Sequence, residues 1–162
     1  MNIEIRSDTD ADFAGIWDVH ANSFPSNAEA DLANRIRDDG DLVFSLVAAL
    51  DGQIIGHVLY SRMQEPKGFL GLAPVAVLPS LRRRGVADRL IREGLVRAKA
   101  GGWAGVFVLG DDYYKRFGFD PLLAAGFSSP YAGTHFMLLE LLSRGLPVRT
   151  GPARYARAFS EL

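Results

Sequence analysis

Between residues 72 and 109 the chain lays down an apolar strand, an arginine-rich loop, an amphipathic helix and a second apolar strand, in that order. The middle of this stretch, residues 75–87, reads Val-Ala-Val-Leu-Pro-Ser-Leu-Arg-Arg-Arg-Gly-Val-Ala. Proline ends the strand. The helix is read from Ala87, Leu90, Ile91, Gly94, Leu95 and Ala98, which recur at the 3.6-residue period, while Asp88, Arg89, Arg92, Glu93, Arg97 and Lys99 fall on the opposite face and Gly101 supplies the stop. A helix bridging two strands of this length predicts a parallel pair joined by a crossover, so the chain must build an α/β sheet covered on at least one face.

The loop at the start of that helix has the makings of an anion site. The first N–H groups of a helix have no carbonyl partner within it, and the aligned peptide dipoles place partial positive charge there. A phosphate satisfies both. Gly85 permits close backbone approach, Val86 and Ala87 open the helix with small or compact side chains, and Arg82, Arg83 and Arg84 add charge. Three consecutive arginines are also a common solvated surface, and a nucleic-acid contact is the other reading of such a cluster. The latter finds no support, because no aromatic platform is interleaved with the arginines and there is no basic surplus, with 18 basic against 19 acidic residues.

Length and composition suit one enzyme-sized domain spanning residues 1–162, with nearly half of the residues apolar. No apolar run approaches a membrane span, and the first residues lack the regions of a signal peptide, so a cytoplasmic protein without membrane contact is expected. There are no cysteines, and the three histidines are widely spaced, so neither disulfides nor a metal cofactor is expected.

Upstream, Ile3 and Ile5 alternate with polar residues as a half-buried strand. Ser7 to Thr9 offer caps for a helix whose inner stripe reads Phe13, Ile16, Trp17 and His20; residues 23–26 break it before a second helix through Leu32 and Ile36. Residues 42–50 and 53–60 form a hairpin around Asp51-Gly52, and Glu65-Pro66-Lys67-Gly68 turns the chain into the strand ending at Val77. Pro74 inside that strand calls for a bulge or an edge. Residues 122–133 read as a loop, 134–141 as a strand and 144–162 as an irregular tail.

Arg82-x-x-Gly85-x-Ala87 after a Val-x-Val-x-Pro strand resembles the pyrophosphate-binding signature of the GNAT superfamily of acetyl-CoA-dependent N-acetyltransferases. A second segment, Tyr113-Tyr114-Lys115-Arg116-Phe117-Gly118-Phe119, resembles the same family's F-Y-x-x-x-G-F motif, and the wording around both is similar to the YhbS-like branch. The resemblance implies a mixed, strongly twisted central sheet flanked by helices and splayed between the strands near Val75 and Val106. It also implies acetyl-CoA as co-substrate, bound by Val75, Ala76, Val77, the loop residues Arg82 to Ala87, Tyr113 and Arg116. The pantetheine arm would pair with the backbone of Val75 and Val77 like an added strand. Tyr114, four residues before Gly118, takes the place of the family's catalytic tyrosine, which covers the departing sulfur.

A phenol near pKa 10 gives its proton to a thiolate near 8.5 only uphill, by about 2 kcal/mol, so the tyrosine needs help, either from Lys115 or Arg116 lowering its pKa or from proton sharing with the emerging ammonium. Many relatives carry a glutamate on the strand leading into the phosphate loop, but residues 69–75 here read Phe-Leu-Gly-Leu-Ala-Pro-Val. Asp111 and Asp112 read as helix caps, and His57 and His20 read as packed, hydrogen-bonded histidines more readily than as proton relays. Without a strong base, the acceptor expected is an amine of modest pKa: about a tenth of an α-amine near pKa 8 is neutral at pH 7, against under about one part in a thousand of a lysine amine. A small amine, an amino acid or a peptide N-terminus fits. The acceptor pocket is expected between the first two helices and residues 122–134, with Phe24, Phe127 and Tyr131 on its walls. A catalytically weak acyl-CoA sensor or scaffold is the alternative, and the C-terminal strand and tail leave surfaces on which a homodimer could form.

Overall fold

A computed structural model describes residues 2–161; Met1 and Leu162, the two ends of the expected domain, lie outside the described residues. Strand β1 (Ile3–Ser7) leads through a short capped turn into α1 (Phe13–Ser23) and α2 (Ala28–Asp38). The hairpin β2 (Leu42–Leu50) and β3 (Gln53–Arg62) follows, then β4 (Phe69–Val77), α3 (Val86–Ala100) and β5 (Gly105–Leu109). The remainder comprises α4 (Pro121–Ala124), β6 (Phe127–Ser128), β7 (Phe136–Glu140) and β8 (Gly151–Pro152). Six strands form one sheet in the order β1-β2-β3-β4-β5-β7, in which only β4 and β5 run parallel. The crossover through α3 is what makes that pair parallel, as the strand-helix-strand pattern predicts.

The hairpin turns at Asp51 (φ 50°) and Gly52 (φ 80°), the positive angles that a two-residue turn demands. Helix α3 packs on one sheet face through Val86, Leu90, Ile91, Gly94 and Ala98, against Ile55, Val58, Tyr60, Leu70 and Leu72. Val86, which the periodic reading placed in the loop motif, begins the helix and is buried. Helices α1 and α2 take the other face. The inner stripe of α1 is Ile16, Val19 and His20; Trp17, expected there, is only half-buried, because the helix is rotated toward Val47, Ile54 and Ala76.

The C-terminal segment departs from the expected irregular tail. Its β8 pairs with β6, and Ala153, Tyr155, Ala156, Ala158 and Phe159 are buried with Leu32, Ile36, Phe69 and Phe107. The Tyr155 ring lies over Gly71, where a Cβ would come within 2.7 Å of it. Alternating small and aromatic residues close the α2 side of the sheet without any regular hydrophobic period, which is why no element was legible there.

Near the N-terminus a buried carboxylate fixes the approach to α1. Asp12 receives both guanidinium nitrogens of Arg6, at 2.7 and 2.9 Å, and the Thr9 N–H at 2.8 Å. The Arg6 hydrogen bonds outweigh burial and hold the Asp12 carboxyl down to about 2. An unfolded aspartate titrates near 3.9, so this stabilisation is complete above about pH 4 and is lost as the pH falls toward 2. Because Arg6 is 34% exposed, a loss of ~1–2 kcal/mol is expected across that window. Urea unfolding of Asp12→Asn should show a lower plateau at neutral pH and a shallower acid limb; an unaltered acid limb would exclude Asp12 as its source.

Candidate active site

The pairing of β4 with β5 covers only Phe69↔Gly105, Leu70↔Val106 and Gly71↔Phe107, after which the strands part. The cause lies at Pro74. Register between β3 and β4 shifts from Tyr60↔Leu72 to Val58↔Val75, so Ala73 and Pro74 form a bulge, and proline offers no N–H to a neighbouring strand. From Ala73 onward β4 therefore has a strand partner on its β3 side only.

Where β4 ends, Pro79–Leu81 makes a tight turn and the chain enters α3 through two left-handed residues, Arg83 (φ 63°) and Gly85 (φ 79°). Such a backbone strains an arginine and suits glycine, and it presents successive amides toward one side of the turn. A cleft of about 730 Å³ opens there. Its walls bring together Val75, Ala76 and Val77 of β4, the loop and helix residues Arg82, Arg83, Gly85, Val86 and Ala87, and Tyr113 and Arg116 from the turn after β5. Arg84 and Tyr114 are not part of this wall.

Three wall residues were not singled out from the sequence, Ser23 at the end of α1, Leu81 and Asp88, and a fourth, Phe24, had been expected on the acceptor side. Ser23 and Arg82 act as a clamp. Ser23 Oγ and Arg82 Nε both donate to the Val77 carbonyl at 3.2 Å, and Arg82 Nη2 donates to the Ser23 carbonyl at 3.1 Å. The Val77 oxygen is thus already engaged, and Arg82 ties α1, β4 and the loop together besides adding charge. Asp88 sits in the first turn of α3, accepts the Tyr113 hydroxyl at 2.5 Å and faces Arg116 Nη1 at 3.4 Å, while the Arg116 guanidinium lies 4.2 Å over the Tyr113 ring. Burial, then the Asp88 hydrogen bond, push the Tyr113 phenol up, so Tyr113 serves as a fixed donor.

Tyr114 packs underneath. Its ring touches Gly110, where a Cβ would lie 2.4 Å away, and meets Phe119 edge-on. Burial raises its phenol above the usual value, with Asp111 adding to the effect. The help expected from Lys115 and Arg116 does not arise: Lys115 pairs with Asp112 at 3.0 Å and Arg116 with Asp88, leaving both cations with acids of their own. Asp111 caps the turn through the Tyr113 N–H at 2.9 Å, as its position suggested. Of the other residues expected at the acceptor pocket, Phe127 is buried among Phe69 and Phe107, and Tyr131 meets Tyr155 edge-on. Both serve the aromatic core and not the cleft.

His20 of α1 and His57 of β3 lie together on the opposite side of the β4 strand from α3, fully buried, with His20 Nε2 2.8 Å from His57 Nδ1. Burial lowers His20 to about 4 and holds His57 well below its ordinary value. Ser61 Oγ, Glu29 Oε2, Tyr155 OH and His20 Nδ1 are buried with no hydrogen-bond partner among the described residues, and all come from elements on this face. No group of three or more metal-ligating side chains occurs among the described residues, and no helix there is long and apolar enough to cross a membrane.

A central strand split from its parallel neighbour at a bulge, and running into a basic turn at a helix start, is the arrangement of an acyl-CoA-dependent acetyltransferase. The chain belongs to the acetyltransferase (GNAT) family, whose model matches residues 6–119. Over 164 aligned residues it is 36% identical to the uncharacterized N-acetyltransferase YhbS of Escherichia coli K12, covering 97% of this chain and 98% of that one. The fold superimposes on the crystal structure of E. coli YhbS in complex with CoA with a TM-score of 0.92 and 34% identity, over 99% of this chain and 93% of that one. A GNAT family acetyltransferase from Brucella melitensis in complex with acetyl-CoA gives 0.83 and 32%, over 98% of each chain.

Proposed function

We propose that residues 1–162 act as one cytoplasmic N-acetyltransferase domain that takes acetyl-CoA into the cleft at the start of α3 and passes the acetyl group to a small amine, an amino acid or a peptide N-terminus. The observation that carries this reading is the juxtaposition of two features: the partnerless edge of β4 beyond Gly71, and the basic, left-handed turn where Arg83 and Gly85 lead into α3. A diphosphate suits the turn, and an amide-bearing pantetheine arm suits an unpaired strand edge. Arg83 and Arg116 supply charge, and Ala87 leaves space at the first helical turn.

The thioester is already activated, so the protein's work is to align a neutral amine with the carbonyl carbon and to stabilise the oxygen as it becomes negative. The C–N bond forms as the C–S bond breaks, and the sulfur leaves beneath Tyr114. With its phenol raised by burial, Tyr114 acts as a hydrogen-bond donor that stays protonated at neutral pH. Tyr114→Phe should therefore slow turnover about tenfold and leave acetyl-CoA affinity within about twofold, the loss expected for one hydrogen bond to a charged atom. Unchanged turnover would remove Tyr114 from the chemistry.

The acceptor side supports an amine of modest pKa, because no carboxylate stands on β4 and both buried histidines are weak bases. Thiol release from acetyl-CoA, measured across α-amines, amino acids, peptides and lysine side chains, tests the whole reading. α-Amines should lead. Tight acetyl-CoA binding with silence across the set would overturn acetyl transfer, and faster acetylation of lysine ε-amines would overturn the acceptor class.

A further inference from the structure

Among the described residues that line the cleft, Asp88 is the one carboxylate, and it stands in the first turn of α3, where the ligand's phosphates are expected. Its charge opposes that use. Two of the three arginines on the same wall are also committed elsewhere. Arg82 is tied to the Val77 and Ser23 carbonyls, and Arg116 Nη1 lies 3.4 Å from Asp88 Oδ1. Tyr113 donates its hydroxyl to that same Asp88 oxygen, and the Arg116 guanidinium is held 4.2 Å over the Tyr113 ring.

Part of this arrangement is structural. A carboxylate at a helix start stabilises the helix, and the Tyr113 bond ties the turn after β5 to α3. The Tyr113 bond needs only an oxygen that accepts, so it does not account for the charge. What the charge adds is felt by the ligand: it repels phosphate directly, and it occupies the guanidinium that would otherwise turn to meet one. Asp88 and Arg116 are 30% and 51% exposed, so water and salt weaken the effect without removing it.

Acetyl-CoA and free CoA carry the same phosphates, and the turn therefore grips substrate and product alike. Such shared binding lowers KM but adds nothing to the chemical step, and in excess it keeps the product in the cleft. We propose that Asp88 limits the hold of the cleft on the phosphates, by repelling them and by keeping Arg116 for itself, so that CoA leaves once the acetyl group has passed to the amine. The proposal rests on the acetyl-CoA reading of the cleft. Asp88 takes no part in making or breaking a bond; its effect is on the affinity shared by substrate and product.

The experiment uses Asp88→Asn, which keeps an oxygen for the Tyr113 hydroxyl and removes the charge. Calorimetric titration at low salt should show CoA and acetyl-CoA each binding about tenfold more tightly, less than a fully desolvated pair of like charges would give because both side chains here meet solvent. In ~1 M salt, where the Debye length is about 3 Å, the gap between variant and wild type should close to within about twofold. In turnover, the KM for acetyl-CoA and the inhibition constant for CoA should fall together, with a lower saturating rate as product lingers. The free variant should melt below the wild type, since the helix start loses its carboxylate. A residue that merely held the fold together would weaken binding as it weakened the fold, so tighter binding with a lower melt separates the two roles. Arg116→Gln should carry the opposite sign, binding CoA about tenfold more weakly because Asp88 is left unopposed. Asp88→Ser, which also accepts from Tyr113 without charge, serves if the asparagine variant does not fold. Unchanged or weaker CoA binding in the uncharged variants, or a gain that salt does not diminish, would overturn the proposal. A wild type that binds CoA but acetylates no amine would count against acetyl transfer, and the titrations would still decide the part played by Asp88. A wild type that binds no CoA would overturn both.

Discussion

An Ala87→Glu variant should lose about 10³-fold in acetyl-CoA affinity while melting no lower than the wild type. Ala87 lines the cleft one residue into α3, where the first amides and the helix dipole are available to a diphosphate. A glutamate there offers a carboxylate to the same amides and stands against the ligand's negative charges. Like-charge juxtaposition in an interface costs several kcal/mol, and about 4 kcal/mol corresponds to the stated loss. The same carboxylate at a helix start stabilises the free protein by ~0.3–1 kcal/mol. Binding and stability are thus expected to move in opposite directions. Calorimetric titration with acetyl-CoA and a thermal melt of the free protein check the two halves; wild-type affinity in the variant would mean that the diphosphate lies elsewhere.

The largest stability loss is expected from Gly94→Ala. The Cβ of an alanine there would lie 2.2 Å from Cε1 of Tyr60 and 2.6 Å from its hydroxyl oxygen, distances no packed core tolerates. Tyr60 is fully buried and donates to the Ile91 carbonyl at 3.0 Å, so it has no open space to turn into. Either α3 lifts from the sheet or the tyrosine gives up its hydrogen bond. Overpacking together with a buried hydroxyl left unpaired amounts to ~2–4 kcal/mol, or about 5–15 °C in melting temperature for a chain of this size. Since α3 also carries the cleft, acetyl-CoA should restore part of the loss by mass action. Pairing Gly94→Ala with Tyr60→Leu should be clearly sub-additive. Full additivity would place the damage outside this contact.

The strand-loop-helix-strand unit and the hairpin were legible because each depends on local chemistry: the period of α3, the positive φ angles at Asp51 and Gly52, and the missing N–H of Pro74. The clamp of Ser23 and Arg82 on Val77 was not, because it joins residues 54 positions apart through a carbonyl, a group every residue has. The buried run of hydrogen bonds from His20 through His57 and Ser45 to Asp8 was half visible. Ser45 and His57 are polar interruptions in two apolar runs, and the hairpin turn brings the runs together. Which nitrogen faces which oxygen depends on the bulges that shift the β2–β3 register. Asp8, and Arg37 that donates to it, carried no signal, since charged residues in a turn and on a helix read as surface.

The sequence by itself determined the parallel pair and the basic helix start, because periodicity, proline and glycine act within a few residues and leave marks at fixed spacing. It also carried the family resemblance of residues 82–87 and 113–119. Only the tertiary structure decided that Tyr113 and Asp88 face the cleft while Tyr114 packs beneath Gly110, and that the C-terminal segment closes the aromatic core. It also decided that His20, His57, Ser45 and Asp8 share one run of hydrogen bonds. Those outcomes depend on which side chains meet after long loops close, and a hydrogen bond between residues 37 positions apart is written in no local pattern.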